Sequence, residues 1–278
     1  MPHRIACFPN CYGRFGVPAA LPLIAEAGIR FVELPIKTDG VPSFFGETPV
    51  LTDRSTDADV ARVRRMIADH GLELSSCNIT SGNPLDRTMV DATLRKLDLS
   101  AQLGVRLVVA GAGQADTTEQ RETLLGHLRE IGDHAAKLGI IYCFETHPGL
   151  CQNADGMLDT MAALNHDSLR LNFDTGNVLY YNRDADVIDS LRRVIPFVAH
   201  VHLKDSSGKF EDWCFPALGA GGAVDFRRVR EVLDEARFSG PCSLEIEGVQ
   251  GEEPPSLETY QQRVVDSMQH LRVCGYID

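Results

Sequence analysis

The stretch His200-Val-His-Leu-Lys-Asp205 decides how the chain is read. Its alternate residues His200, His202 and Lys204 are polar, while Phe197, Ala199, Val201 and Leu203 on the other parity are apolar. It lies between two helical patterns, where a parallel strand covered on both faces should be a near-continuous apolar run. Polar side chains on one parity therefore need a wet or metal-bearing destination.

Other strand-like stretches repeat the anomaly. In Ile140-Ile-Tyr-Cys-Phe-Glu-Thr-His147, Cys143, Glu145 and His147 share one parity against Tyr142 and Phe144. Leu169-Arg-Leu-Asn-Phe-Asp174 sets Asn172 and Asp174 against Leu171 and Phe173. Cys242-Ser-Leu-Glu-Ile-Glu247 sets Ser243, Glu245 and Glu247 against Leu244 and Ile246. Side chains alternate across a strand, so all these segments aim carboxylates or imidazoles one way at their C-terminal ends. One such residue could be a satisfied core histidine or a capping aspartate; successive strands doing it together favour a shared site.

Working outward, four earlier strands are expected at Arg4–Phe8, Ile29–Leu34, Leu72–Cys77 and Val105–Ala110. Helical patterns follow at Pro18–Ala27, Asp57–His70, Asp86–Leu103, Thr117–Leu138, Asn153–Leu164, Asp184–Val194, Asp225–Arg237 and Leu257–Val273. Gly28, Gly71, Gly104 and Gly139 stop four of them, and Thr117 with Gln120 has the spacing of a capping box. Eight strands, each followed by a helix, predict an α/β fold of the (β/α)8 barrel type, one domain over residues 1–278. A doubly wound sheet is the alternative, but no Gly-x-Gly-x-x-Gly follows the first strand. Pro9–Gly13 reads as a turn-rich loop, and the long Pro35–Asp53 segment with Phe44 and Phe45 as a lid or a surface loop.

Lys and Arg number 27 against 39 Asp and Glu, a net charge of -12 that disfavours a nucleic-acid partner. The eight cysteines contain no Cys-x-x-Cys pair and several sit in apolar strand patterns, as reduced buried thiols do. No signal-like or bilayer-spanning apolar run is present, so the expectation is a cytoplasmic protein with no membrane partner. A homo-oligomer is left open.

In a barrel the C-terminal strand ends converge, so Glu145, Asp174, His202 and Glu245, one from each consecutive strand, could surround one ion. Three carboxylates and an imidazole favour Mn²⁺, Mg²⁺ or Co²⁺ over a structural thiolate zinc site, though ligand type alone leaves Zn²⁺ open. The bland alternative pairs Glu245 or Glu247 with Lys204 or an arginine.

The chain resembles the xylose isomerase-like TIM barrels, the family of sugar phosphate isomerases/epimerases, ketose 3-epimerases, inosose dehydratases and endonuclease IV relatives (AP endonuclease family 2). The matching motifs span the chain: Phe144-Glu-Thr-His-Pro148, Asn172-Phe-Asp-Thr-Gly-Asn177, His200–Asp205, Phe215-Pro-Ala-Leu-Gly219 with Val224-Asp-Phe226, and Ser243-Leu-Glu-Ile-Glu247. The resemblance implies that Glu145, Asp174, His202 and Glu245 hold one divalent metal, with Glu145 and Glu245 doubling as the acid/base pair. Ketose 3-epimerases carry a histidine where this chain has Asn177 and an arginine where it has Gly208, which points to a related but different polyol or keto-sugar. The histidine ligands of a trinuclear endonuclease site are absent from Phe31–Leu34 and Leu72–Cys77.

Around the quartet, His147 and Asn177 read as substrate contacts. Lys204 binds a substrate oxygen or phosphate, or neutralises Glu247. Trp213 is a stacked wall over a sugar or a packing residue, and Glu33 a substrate contact or a salt-bridge partner. His200, one pleat deeper, reads as a hydrogen-bonded support for the ligands. The expected activity is isomerisation or epimerisation of a sugar, keto-sugar or polyol through a metal-stabilised enediolate. An inosose-type dehydratase and a catalytically idle sugar-binding barrel are the alternatives.

Overall fold

The computed structural model describes residues 2–278. Strands β1 (Arg4–Cys7), β2 (Phe31–Pro35), β3 (Glu73–Asn78), β4 (Leu107–Gly111), β5 (Ile141–Glu145), β6 (Leu169–Asp174) and β7 (Val198–Leu203) run parallel in sequence order. A two-residue strand, β8 (Cys214–Phe215), intervenes before β9 (Pro241–Leu244), which pairs with both β7 and β1 and closes the barrel. The helices are α1 (Gly16–Glu26), α2 (Asp57–Asp69), α3 (Arg87–Leu103), α4 (Thr118–Leu138), α5 (Ala154–Leu164), α6 (Asn177–Tyr180), α7 (Val187–Val194), α8 (Phe226–Glu235) and α9 (Leu257–Cys274). This is the expected (β/α)8 barrel in a single domain.

Both parities of the late strands are buried, for opposite reasons. Tyr142, Phe144, Leu171, Phe173, Val201, Leu203 and Leu244 pack under the helices, each contributing about 1.5–3 kcal/mol by burial. The other parity fills the barrel with a polar column that is only partly satisfied, Asn172 Nδ2 and Ser243 Oγ having no hydrogen-bond partner. His200 bonds Asn172 Oδ1 through Nδ1 (2.8 Å) and Ser76 Oγ through Nε2 (3.1 Å), all without exposure. Register does the rest: Glu145 lies opposite Asn172, Asp174 opposite His202, and His202 opposite Ser243.

Several local expectations need correction. Pro9–Phe15 is a 3-10 helix rather than a loop, because Pro9 presets its first turn. Gly13 within it, at φ 52°, leaves no room for a Cβ against Tyr260 of α9. Asp184 has φ 56° and so cannot start α7; Asp186 caps it by accepting the N–H groups of Ile188 and Asp189. Gln120 bonds the N–H of Asp116 instead of Thr117, whereas Thr56 and Asp59 make a full reciprocal cap on α2. Neither α6 nor the antiparallel pair of β8 with β10 (Gly248–Val249) was expected; both are too short for periodicity to show.

The cysteines are all unpaired thiols, buried except for half-buried Cys214. Lys37 and Thr52 bridge the root of the Pro35–Asp53 segment. There Asp53 accepts Arg95 (2.6 Å) and the Asp39 N–H (2.7 Å). Lys96 has no exposed surface and donates to Thr38 Oγ1 (2.9 Å), Thr80 O (3.0 Å) and Ile79 O (3.3 Å), tying this root to the segment after β3. Burial pushes its pKa down to about 7. No helix among the described residues is long and apolar enough to cross a membrane.

Candidate active site

At the C-terminal end of the barrel, one donor atom each from Glu145, Asp174, His202 and Glu245 lie within 4.8 Å of one another, and all four residues are buried. His202 Nδ1 faces Glu245 Oε2 at 3.0 Å, Glu145 Oε1 at 3.2 Å and Asp174 Oδ2 at 3.7 Å. On the far side of the ring, Nε2 meets both oxygens of Glu33, at 3.0 and 3.1 Å. Glu33 therefore fixes the imidazole so that Nδ1 is the nitrogen turned to the cluster.

The Asp-Thr-Gly-Asn sequence explains how Asp174 is held. Its Oδ1 accepts the backbone N–H groups of Gly176 (2.9 Å) and Asn177 (2.8 Å), leaving Oδ2 buried with no hydrogen-bond partner. Thr146 Oγ1 accepts the Asp174 N–H, and Thr175 Oγ1 bonds the Lys204 backbone on both sides. A Cβ on Gly176 would lie 2.9 Å from Lys204 Cγ, so the turn needs glycine there. Glu245 is divided like Asp174: Oε1 accepts Asn10 Nδ2 (2.8 Å), and Oε2 is buried without a hydrogen-bond partner. Two orphaned carboxylate oxygens beside an imidazole nitrogen are what a hard divalent cation would complete, so the residues fit such an ion.

The charges of the site set one another's pKa values. Burial works against a charged His202, yet Glu33, Glu245 and the other carboxylates hold its pKa well above the usual histidine value. Burial would raise Glu245, but Lys204, His202 and the Asn10 donor keep it well below the usual carboxylate range. Asp174 is raised, chiefly by burial. Burial likewise opposes the charge on Lys204, while Glu245, Glu247 and Asp174 raise its pKa well above normal. Its ammonium pairs with Glu247, lies 3.8 Å from Glu245 and 4.0 Å from Asp174, and caps the Phe215 ring at 4.3 Å.

The residues assigned to substrate from sequence fall into two groups. His147 stays at the rim, its ring 5.4 Å from that of Tyr181, and lines a cavity of about 280 Å³ with Thr80, Asn83, Gln114, Glu145 and Pro148. Trp213 joins an aromatic roof: Phe44 of the Pro35–Asp53 segment is 5.4 Å away, Phe215 5.1 Å and Tyr180 5.8 Å. Phe44 is 74% exposed, and its contact with Trp213 ties the Pro35–Asp53 segment to the segment after β7. Glu33, by contrast, has no exposed surface and lies beneath His202, in the position of its salt-bridge reading. Lys204 is an internal counter-ion to Glu247, the second of its two readings. Asn177 donates one amide N–H to Thr146 O (3.1 Å), which braces the turn.

Sequence reasoning missed Asn10, hidden in what looked like a loop. It also missed Asp205, whose buried carboxylate accepts the N–H groups of Ser206, Gly219 and Val224 and shapes the segment carrying Trp213. For Asn10 the available signal was its place directly beyond β1 at the barrel mouth.

Residues 21–273 match the family described as xylose isomerase-like TIM barrel. The chain belongs to that family. A curated relative, inosose dehydratase from Geobacillus thermodenitrificans, is 23% identical over 252 residues, covering 78% of this chain and 82% of its own. Among solved structures, L-ribulose 3-epimerase superposes with a TM-score of 0.75 at 16% identity, covering 98% of this chain and 94% of that one. A xylose isomerase-like TIM barrel protein from Mycobacterium smegmatis in complex with magnesium gives 0.72 at 20% identity, covering 98% and 97%. At such identities these two establish the shared fold alone. The xylose isomerase-like barrel described here thus has both dehydratases and epimerases among the proteins it is similar to.

Proposed function

We propose that this barrel is a divalent-metal-dependent isomerase or epimerase that moves a proton next to the carbonyl of a sugar, keto-sugar or polyol. The observation that supports it most is the convergence of Glu145, Asp174, His202 and Glu245, with Asp174 Oδ2 and Glu245 Oε2 left without hydrogen-bond partners. Those four residues would hold the ion, which when bound supplies Lewis-acid stabilisation to the oxygens of an enediolate.

The chain's own groups carry the proton. Glu145 ends β5 and Glu245 follows β9, with β6 and β7 between them in the barrel, so the two carboxylates approach a substrate from different sides. One takes the proton from carbon, and the other delivers a proton to the opposite face or to the neighbouring oxygen. Lys204, charged beside Glu245, favours that carboxylate in its basic form before transfer. His147 at the rim would bind a substrate hydroxyl, and Trp213 with Phe44 and Tyr180 would form an aromatic wall beside it.

Elimination of water is a second reading, supported by the inosose dehydratase relative. Its first step is the same proton removal, and the outcomes separate by mass. The deciding experiment incubates the Mn²⁺-loaded protein with a panel of keto-sugars and inososes in D₂O. Deuterium in a product of unchanged skeleton supports epimerisation or isomerisation, whereas a product lighter by one water assigns a dehydratase. No deuterium uptake and no product across the panel would leave the idle sugar-binding barrel.

A further inference from the structure

Asn10 lies in the 3-10 turn directly after β1 and comes into the site from the strand next to β9. Its Nδ2 donates to Glu245 Oε1 at 2.8 Å, and its Oδ1 is buried with no partner. The amide orientation is fixed chemically, because an ionised carboxylate only accepts hydrogen bonds and so must face the NH₂ end. The orphaned atom is therefore an acceptor, one amide width from the hydrogen bond to Glu245. A buried acceptor without a partner is destabilising, and a ligand's donor would relieve that.

The turn is built to hold that amide still. The Phe8 N–H bonds Leu244 O at 3.0 Å and Cys11 Sγ reaches the same carbonyl at 3.3 Å, so Asn10 is bracketed by contacts to the residue preceding Glu245. Tyr260 of α9 packs against Gly13 from behind. Asn10 itself is 8% exposed, too little for the amide to swing away.

We propose that Asn10 is a bifunctional site residue: its Nδ2 orients Glu245 for metal and proton, and its Oδ1 accepts a hydroxyl of a polyhydroxylated ketone. The substrate half rests on the function proposed above; the Glu245 half does not. The group that meets Oδ1 has to carry a donor. A carboxylate or phosphate oxygen is an acceptor only and leaves Oδ1 unsatisfied. A hydroxyl, by contrast, gives Oδ1 the donor it lacks.

The test uses Asn10→Ala and Asn10→Leu; Leu keeps the branched outline of Asn with bulkier apolar ends, so agreement between the two excludes a packing void as the cause. Mn²⁺ titration by calorimetry should show affinity about tenfold weaker in both, the size of effect expected for a partner that orients a ligand. Unchanged affinity in both overturns the Glu245 half. For the substrate half, kcat/KM is measured with the ketose turned over by the wild type and with its series of mono-deoxy analogues. One analogue should lose at least tenfold with the wild type yet nothing further with Asn10→Ala. If every deoxy analogue loses equally in both proteins, Oδ1 has no substrate hydroxyl and that half falls. Absence of any turnover by the wild type counts against the proposed reaction and takes the substrate half with it, while the Mn²⁺ result still decides the other.

Discussion

Glu33 supports His202 from below: both of its carboxylate oxygens lie within 3.1 Å of Nε2, on the side of the ring facing away from Glu145 and Glu245. Such a partner sets the tautomer and raises the basicity of the nitrogen that binds metal. Glu33→Gln should weaken Mn²⁺ binding by about 10- to 100-fold while the far-ultraviolet circular dichroism stays unchanged. Calorimetric titration checks this, and unaltered affinity would show that His202 is oriented without Glu33.

The raised pKa of His202 means that, without metal, the imidazole carries a proton on the nitrogen turned toward the carboxylates. A folded pKa above the unfolded value contributes stability that is fully present below about pH 6.5 and is lost as pH rises through the folded value. Metal must displace that proton, so binding at neutral pH should release about one proton and tighten as pH rises. Titrating Mn²⁺ in buffers of different ionisation enthalpy measures the number directly; zero release across pH 6–8 would be incompatible with a protonated apo site.

Glu145→Gln and Glu245→Gln separate metal holding from proton transfer. The amide keeps a coordinating oxygen but is not a base at neutral pH. Each variant should bind Mn²⁺ more weakly without losing it, while turnover falls about 10²- to 10⁴-fold at saturating metal. In a two-base scheme, one variant still exchanges the substrate proton with solvent but fails to complete the conversion. Near-normal turnover in both would move proton transfer to another group, with His147 at the rim and Lys204 the nearest candidates.

Lys96 predicts a pH dependence that is separate from the site. Its folded pKa of about 7 lies below the ordinary lysine value, so below pH 7 both folded and unfolded chains are protonated and the cost of burying the charge is fully present. Between pH 7 and about 10 the unfolded chain binds a proton that the folded one does not, and stability from this group rises with pH. Urea unfolding of the wild type and Lys96→Met should therefore diverge, the wild type gaining a few kcal/mol relative to the variant between pH 7 and 9.5. Parallel curves would mean that the three acceptor oxygens keep Lys96 charged throughout.

The barrel was readable because its signals repeat. Alternation in the last four barrel strands and glycine stops after the early helices needed no tertiary knowledge, and the register then carried Asp174 and His202 to adjacent positions. Two kinds of information stayed hidden. Depth was one: Glu33 and Lys204 share the parity of the site residues, but parity does not say whether a side chain opens to the mouth or lies beneath another. Cooperation between distant short segments was the other, as with Asn10 and Glu245, 235 positions apart and joined only because β9 closes on β1.

The small β8–β10 ladder has a practical meaning for anyone redesigning this protein. Phe215 pairs with Gly248, Cys214 with Val249, and the Gln250 N–H bonds Trp213 O at 2.8 Å, so two stretches separated by a whole helix and strand form one mechanical unit. Grafting either stretch alone from another barrel would strand unpaired backbone groups and tilt Trp213. Specificity transplanted into this scaffold has to travel with both halves of the clasp.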